Sequence, residues 1–401
     1  MSYSKACLGL LLLITGSGCG DSNDSVPVPP NDNEGGPLFA VSLFIPGTED
    51  AAFVGLVGSL GPTARVDVSQ SLEIPNNGVA FGPDAGDVLF AVDGMVPRIT
   101  RYEVTQDNRF VQGATLSAEA IIDTTLRVRP SNFYFVSERR AYAIDTFTYQ
   151  IVIWDPLEMR LVDTIDISEL SGDGPGFISH RIIERDDEIV FSLTFLNENF
   201  GISPRSKIAF FNLETERLTE VITLDDCAGI QYLFVDGQGD LWAASDVASV
   251  ANRLANRGGG PECLARVPAG ATRVDRQVLI ETATGGLQGG SVFFQGASNA
   301  YVRVLDESLL PSDAVSLPDF SGADAWRWAL IDLETSSLVT VFDDLDPAAS
   351  GGDPHVIDGR SFGVQTEANL ASSTLVDLSR ADGPMPGVTS PGVITGVFRV
   401  R

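Results

Sequence analysis

The sequence predicts an all-β protein: a seven-bladed β-propeller of four-stranded antiparallel blades. The first observation is a recurrence. Phe39, Phe90, Tyr142, Phe191, Trp242, Tyr301 and Phe362 each sit in a short apolar run, spaced 51, 52, 49, 51, 59 and 61 residues apart. A period near 50 residues built from strand-length segments is the mark of a propeller blade. The second is the pattern inside each copy. Residues 139–165, RRAYAIDTFTYQIVIWDPLEMRLVDTI, read as three strands joined by tight polar turns, with strand rather than helix periodicity. The third is a turn that recurs in step. WDPLEMRL, FNLETERL and IDLETSSL place Asp155, Asn212 and Asp332 after an apolar strand, with Leu161, Leu218 and Leu338 six residues later. A short polar side chain there bonds the backbone two residues on, so these groups are turn formers and not catalysts.

A ring of repeats makes residues 38–401 one domain, although 401 residues would otherwise suggest two or three. The formal charge is −28, and lysine occurs only at Lys5 and Lys207. Such a surface repels phosphate backbones and offers no basic patch, which excludes nucleic acid as a partner.

Residues 1–18 read as an export signal: Lys5, an apolar run too short to span a bilayer, then small residues. Gly16, Ser17 and Gly18 before Cys19 resemble the lipobox of bacterial lipoproteins, which implies that Cys19 carries a lipid and becomes the mature N-terminus. Residues 19–37 have too few large apolar side chains to offset their ordering entropy and form a flexible tether. Cys227 and Cys263 remain as a pair in an exported chain and predict a disulfide. Cys227 lies between two blades and Cys263 opens the third strand of the second, so both belong to one face.

Blade one takes residues 38–44, 52–60 and 66–74 and lacks an innermost strand. GVITGVFRV (392–400) either fills that gap or completes blade seven, and in both cases the chain ends meet, which protects the sheet edges. Blade two has GVAFG, VLFAVD and RITRYEV, and blade three is the stretch from Arg139. Blade four runs from HRIIE to LTEVITL, blade five from YLFVD to DRQVLIE, and blade six from SVFFQ to SLVTVF. Blade seven has HVID, RSFGVQ and STLVDL.

Loops held by a rigid scaffold are where function gathers. Two are long here, DVASVANRLANRGGGPE in blade five and DESLLPSDAVSLPDFSGADA in blade six, and VASVANRLANR carries helical spacing. On the same face lie the residues that precede or begin the innermost strands: Asn77, Asn132, His180, Gln231, Ser291 and His355, a candidate polar ring for a small ligand. His180 and His355 are the only histidines and the weak catalytic candidates. With Asp353 they are too few and too scattered to read as a metal site, and no cofactor is implied. DGQGD (236–240) reads as a hairpin turn rather than a calcium loop, and GxSxG, HExxH and P-loop patterns do not occur in a supporting context.

The signal, tether and seven blades resemble secreted bacterial β-propeller lipoproteins of the broad YVTN/lactonase-like group. VLFAVDGMVPRITRYEV and WRWALIDLETSSL are also similar to strings in surface lipoproteins encoded near siderophore genes. The resemblance implies a propeller anchored through its lipid in the bacterial envelope, at the outer membrane on its periplasmic or surface side. The expectation is a binding protein that recognises a small ligand, a metal complex or a partner envelope protein through the long-loop face. The alternative is an extracytoplasmic hydrolase or lactonase at the channel mouth, with His180 or His355 as general base. The two diverge on whether either histidine meets a carboxylate within hydrogen-bond reach.

Overall fold

The computed structural model describes residues 36–47, 51–83, 85–119, 132–172, 174–197, 201–296, 298–380 and 383–401. The export signal, Cys19 and all of the tether before residue 36 lie outside them. Seven antiparallel sheets are arranged as the blades of one propeller. Each runs from an innermost strand on the axis to an outermost strand at the rim. All seven spaced aromatics fall on the second strand of their blades, and all are buried.

Alternation along each strand explains how blades adhere. In blade three, Phe133, Ala141, Ala143, Val152 and Trp154 pack against Phe81 and Phe90 of blade two. Their neighbours Tyr142, Ile144, Ile151 and Ile153 point the other way, into Ile189, Phe191 and Phe211 of blade four. A strand buried on both faces needs apolar residues at every position, which is why these runs are continuously hydrophobic. One such cluster fills each of the seven interfaces between blades, so the core is divided among these seams.

The last strand, Val393–Arg399, pairs with Phe39–Ile45 and is the innermost strand of blade one. It therefore fills the gap in blade one and does not complete blade seven. Leu38 N donates to the Arg401 carbonyl and Val400 N to the Leu38 carbonyl, and the Arg401 guanidinium reaches Asp87 at 2.6 Å and the Thr105 carbonyl at 2.7 Å in blade two. Blade seven ends instead with Met385–Pro391, and blade two with Phe110–Ser117. Neither outermost strand is picked out by the sequence pattern.

Two local expectations need correction. Residues 66–74 are not one strand: Asp67 caps a single 3-10 turn at Val68–Gln70 through Ser69 N at 2.9 Å, and only Leu72–Ile74 pairs. In blade four, HRIIE is not a continuous innermost strand, because the pairing breaks between Gly176–Ile178 and Ile183–Arg185. The recurrent turns hold. Asp155 Oδ1 accepts from Leu157 N and Glu158 N, and Asn212 and Asp332 accept from Thr215 N and Thr335 N, the reach being two or three residues.

Cys227 and Cys263 form the predicted disulfide, with Cα atoms 5.3 Å apart and both side chains buried. The segment it brackets contains helix Val247–Leu254, capped by Asp246, as its spacing predicts. Val247 and Val250 bury against Ala325 of the blade six loop and against Leu305 and Trp326, the strand residues that flank it. The two long loops thus fold into a small cap with its own apolar core.

Candidate functional site

Where blades four to seven meet the axis, the chain departs from strand regularity and gathers polar side chains. His180 sits in the break of the blade four innermost strand, and its N–H donates to the Gln231 carbonyl at 2.7 Å. The side chain is buried between two carboxylates: Nδ1 lies 2.8 Å from Asp353 Oδ2 and Nε2 lies 3.5 Å from Asp246 Oδ2. Only an imidazolium donates at both nitrogens together. Blades four and seven stand almost opposite in a ring of seven, so the His180–Asp353 pair is a bar across the axis.

Tyr232, from the innermost strand of blade five, sets its ring 4.7 Å from that of His180, tilted by 34°, and donates its hydroxyl to Asp353 at 3.4 Å. Burial, then the nearby Asp353 and Asp246 carboxylates, raise its phenol well above the ordinary range, so it stays protonated. Asp246 does double duty. Its Oδ1 caps the helix through Ala248 N at 2.7 Å, while Oδ2 accepts from the Ser291 hydroxyl at 3.1 Å. Burial pushes its carboxyl up, but the hydrogen bond and charge of His180 outweigh that and leave it below the usual range.

Ser291 holds a left-handed φ of 56° inside a strand, beside Gly290, where any Cβ would meet the Asp246 carbonyl carbon at 2.6 Å. Strained backbone of that kind persists only where the surroundings enforce it. Beneath lies Arg303, buried and stacked 4.5 Å from the Trp328 ring, donating to the carbonyls of Ser350, Gly351 and Val364. Burial pulls its guanidinium down to about 10, and Tyr232, Asp246 and Asp353 resist this, so it remains charged at neutral pH. Its Nε has no partner.

Of the residues singled out by sequence, the structure brings His180, Gln231 and Ser291 into this cluster. His355 begins the blade seven innermost strand two residues beyond Asp353. Burial lowers its imidazole to about 4, and its Nε2 is sealed without a partner. Asn132 is buried and donates to the Ile144 carbonyl at 2.7 Å, a bond within its own blade. Asn77 is exposed in a turn ahead of blade two and stands apart. Tyr232, Asp246 and Arg303 were missed. Arg303 had a signal, as the one charge within the apolar strand NAYVRVL. Among the described residues no group of three or more His, Cys, Asp or Glu is arranged to hold a metal ion. In DGQGD, Asp236 is occupied by Gln238 N, Asp240 N and the Trp242 indole.

A cavity of about 1080 Å³ occupies the axis. Its lining runs from exposed hairpin residues such as Val136, Glu138 and Gly359 to the buried side chain of His180 and to Tyr232, so it opens on the hairpin face and ends at the polar bar. Phe133 and Phe135 supply one wall, and Phe234, Phe293 and Phe294 another. The two long loops contribute no lining residue.

No family model matches the chain, and no curated protein matches it. Solved structures do. A protein from Lactobacillus plantarum superposes with a TM-score of 0.52 at 13% identity, covering 91% of this chain and 99% of that one. Hydrazine synthase of Kuenenia stuttgartiensis gives 0.46 at 13% identity, over 74% of this chain and 75% of that one. AztD from Citrobacter koseri gives 0.41 at 11% identity, over 91% and 97%. At such identities likeness speaks for fold alone. The expected resemblance to bacterial seven-bladed propellers holds at that level.

Proposed function

We propose that this chain is an exported, lipid-anchored propeller that binds a small organic molecule in its axial channel, approached from the hairpin face. The observation that carries this is the aromatic-walled cavity ending on a buried, charged floor. Ligand sites combine concave apolar surface with a few fixed polar groups, and this channel has both. Export is supported by the signal pattern and by the Cys227–Cys263 bridge, which suits an oxidising compartment. Anchoring in the bacterial envelope rests on Gly16, Ser17, Gly18 and Cys19 alone. Mass spectrometry of the protein purified in native form from membranes tests both parts. A retained small molecule and a diacylglyceryl mass on Cys19 are expected. Bare protein that also fails to bind any member of a fragment library would overturn the channel reading.

A hydrolase or lactonase is the second reading, favoured by the carboxylate that orients His180 at 2.8 Å. That is one half of a general base; the other half is a free nitrogen, and here Nε2 faces Asp246. Lactone and ester turnover that is lost in His180→Gln is the result this reading requires.

A further inference from the structure

We infer that the ligand of this channel is an organic cation, a protonated or quaternary amine on an apolar or aromatic body. The inference rests on the channel being a ligand site and adds the chemistry of the ligand. The walls come first. Phe234 and Phe294, from neighbouring blades, set their rings near-parallel at 6.0 Å, and Phe135 leans on Phe90 at 5.4 Å from the other side. Phe135 and Phe294 are only half-buried although they sit on the axis. Ring faces presented to a cavity attract cations through their quadrupole, and more strongly when water is excluded.

The charges point the same way. Glu138 and Glu184 line the cavity, and Asp353 and Asp246 stand at its floor. Of the cations nearby, Arg101 is neutralised by Glu103 at 2.7 Å, and Arg303 lies behind the floor, turned to backbone carbonyls and the Trp328 face. Arg181 lines the cavity beside His180. Even with His180 protonated, carboxylates exceed cations along the axis. A chain carrying −28 adds a field of the same sign, which a low-dielectric cleft focuses. An anionic ligand would meet that field with Arg181 and the Glu103-paired Arg101 as the guanidiniums of the lining, so the balance of charge favours the cation.

The test uses the full chain and three probes of similar shape: 2-phenylethylammonium, 2-phenylethanol and phenylacetate, titrated by calorimetry at low and moderate salt. The cation should bind roughly tenfold or more tighter than the alcohol and weaken as salt rises, with phenylacetate weakest. Phe294→Leu keeps apolar volume and removes the ring face. It should cost the cation roughly two- to thirtyfold while leaving the alcohol within about twofold. Glu184→Gln should weaken the cation alone. If the alcohol or phenylacetate binds as tightly as the cation, the inference fails and the channel reading stands. If no probe binds and the purified protein retains nothing, the channel reading fails with it.

Discussion

Asp246 and Asp353 both face His180, and their contributions should rank against their distances. Asp353 is nearer, 2.8 Å against 3.5 Å, but its side chain is 34% exposed where that of Asp246 is 10% exposed. Removing one member of a buried ion pair costs about 3–5 kcal/mol, whereas exposed pairs are worth about 0–1 kcal/mol. Asp353→Asn should therefore cost about 1 kcal/mol after solvent screening. Asp246→Asn should cost about 2–3 kcal/mol, below the full buried value because His180 keeps Asp353. Asn is a competent N-cap, so that substitution keeps the cap while removing the charge and the Oδ2 acceptor; Asp246→Ala also removes the cap and should cost about 1 kcal/mol more. Urea melts at neutral pH, with unchanged slope as the control for a comparable denatured state, give the three values. Since the folded carboxyl of Asp246 lies below its unfolded value, its contribution is present above about pH 4 and is lost as pH falls through the folded value. An Asp353→Asn penalty equal to or larger than that of Asp246→Asn would refute the ranking, because proximity would then outweigh burial.

His355 gives a separate pH signature. Its folded value near 4 lies below an unfolded value near 6.5, so the unfolded chain takes up the proton first. Stability should be intact above about pH 6.5 and fall by up to about 3 kcal/mol on acidification towards pH 4, a slope that His355→Gln should flatten. Replacing Cys227 and Cys263 by Ser opens a loop with a sequence separation of 36 residues, which the chain-entropy account puts at about 4 kcal/mol. A thermal melt unchanged by reductant in the native chain would contradict it. At Gly363 a Cβ would meet the Trp328 ring at 2.6 Å, so Gly363→Ala should cost about 1–3 kcal/mol and alter near-ultraviolet dichroism as the blade six–seven seam shifts.

The architecture was legible because it is written in periodicities that sterics enforce: aromatic spacing for the blades, alternation for the strands, short polar residues for the turns. The strands that escaped, Phe110–Ser117 and Met385–Pro391, are rim strands. The first, FVQGATLS, is exposed along most of its length and so lacks the apolar run that marks an inner strand. The disulfide was legible because blade topology brings Cys227 and Cys263 to one face. The polar cluster was half legible. His180, Gln231 and Ser291 were reachable from their place in the repeat, while Asp246 looked like a helix cap and does act as one. Tyr232 was hidden because a tyrosine in YLFVD reads as core, and its hydroxyl finds Asp353 from a blade 121 residues away in sequence.

The long loops were the most visible departure from the repeat, yet their buried apolar residues pack into a cap of their own. The departures that remain unexplained by packing are smaller and lie in the innermost strands. Blade four breaks between Ile178 and Ile183, blade five shifts register between Ile230 and Tyr232, and blade six shifts between Gly290 and Phe293. Each irregularity falls where His180, Tyr232 or Ser291 enters the cluster. A bulge costs ladder bonds and re-aims a side chain, which is why bulges collect beside sites. The innermost strands of blades two and seven run without such shifts, and they supply neither a ring nor a hydroxyl to the bar. Blade three has one, between Phe135 and Ser137, at the opposite end of its strand, where Phe135 leans into the cavity. Four of the five irregular innermost strands thus shape the floor and one wall of a single channel; the fifth, in blade one, shifts between Ser42 and Leu43 and lines none of it. Regular pairing would seal the axis with more ladder bonds, so the pattern supports the ligand site proposed above.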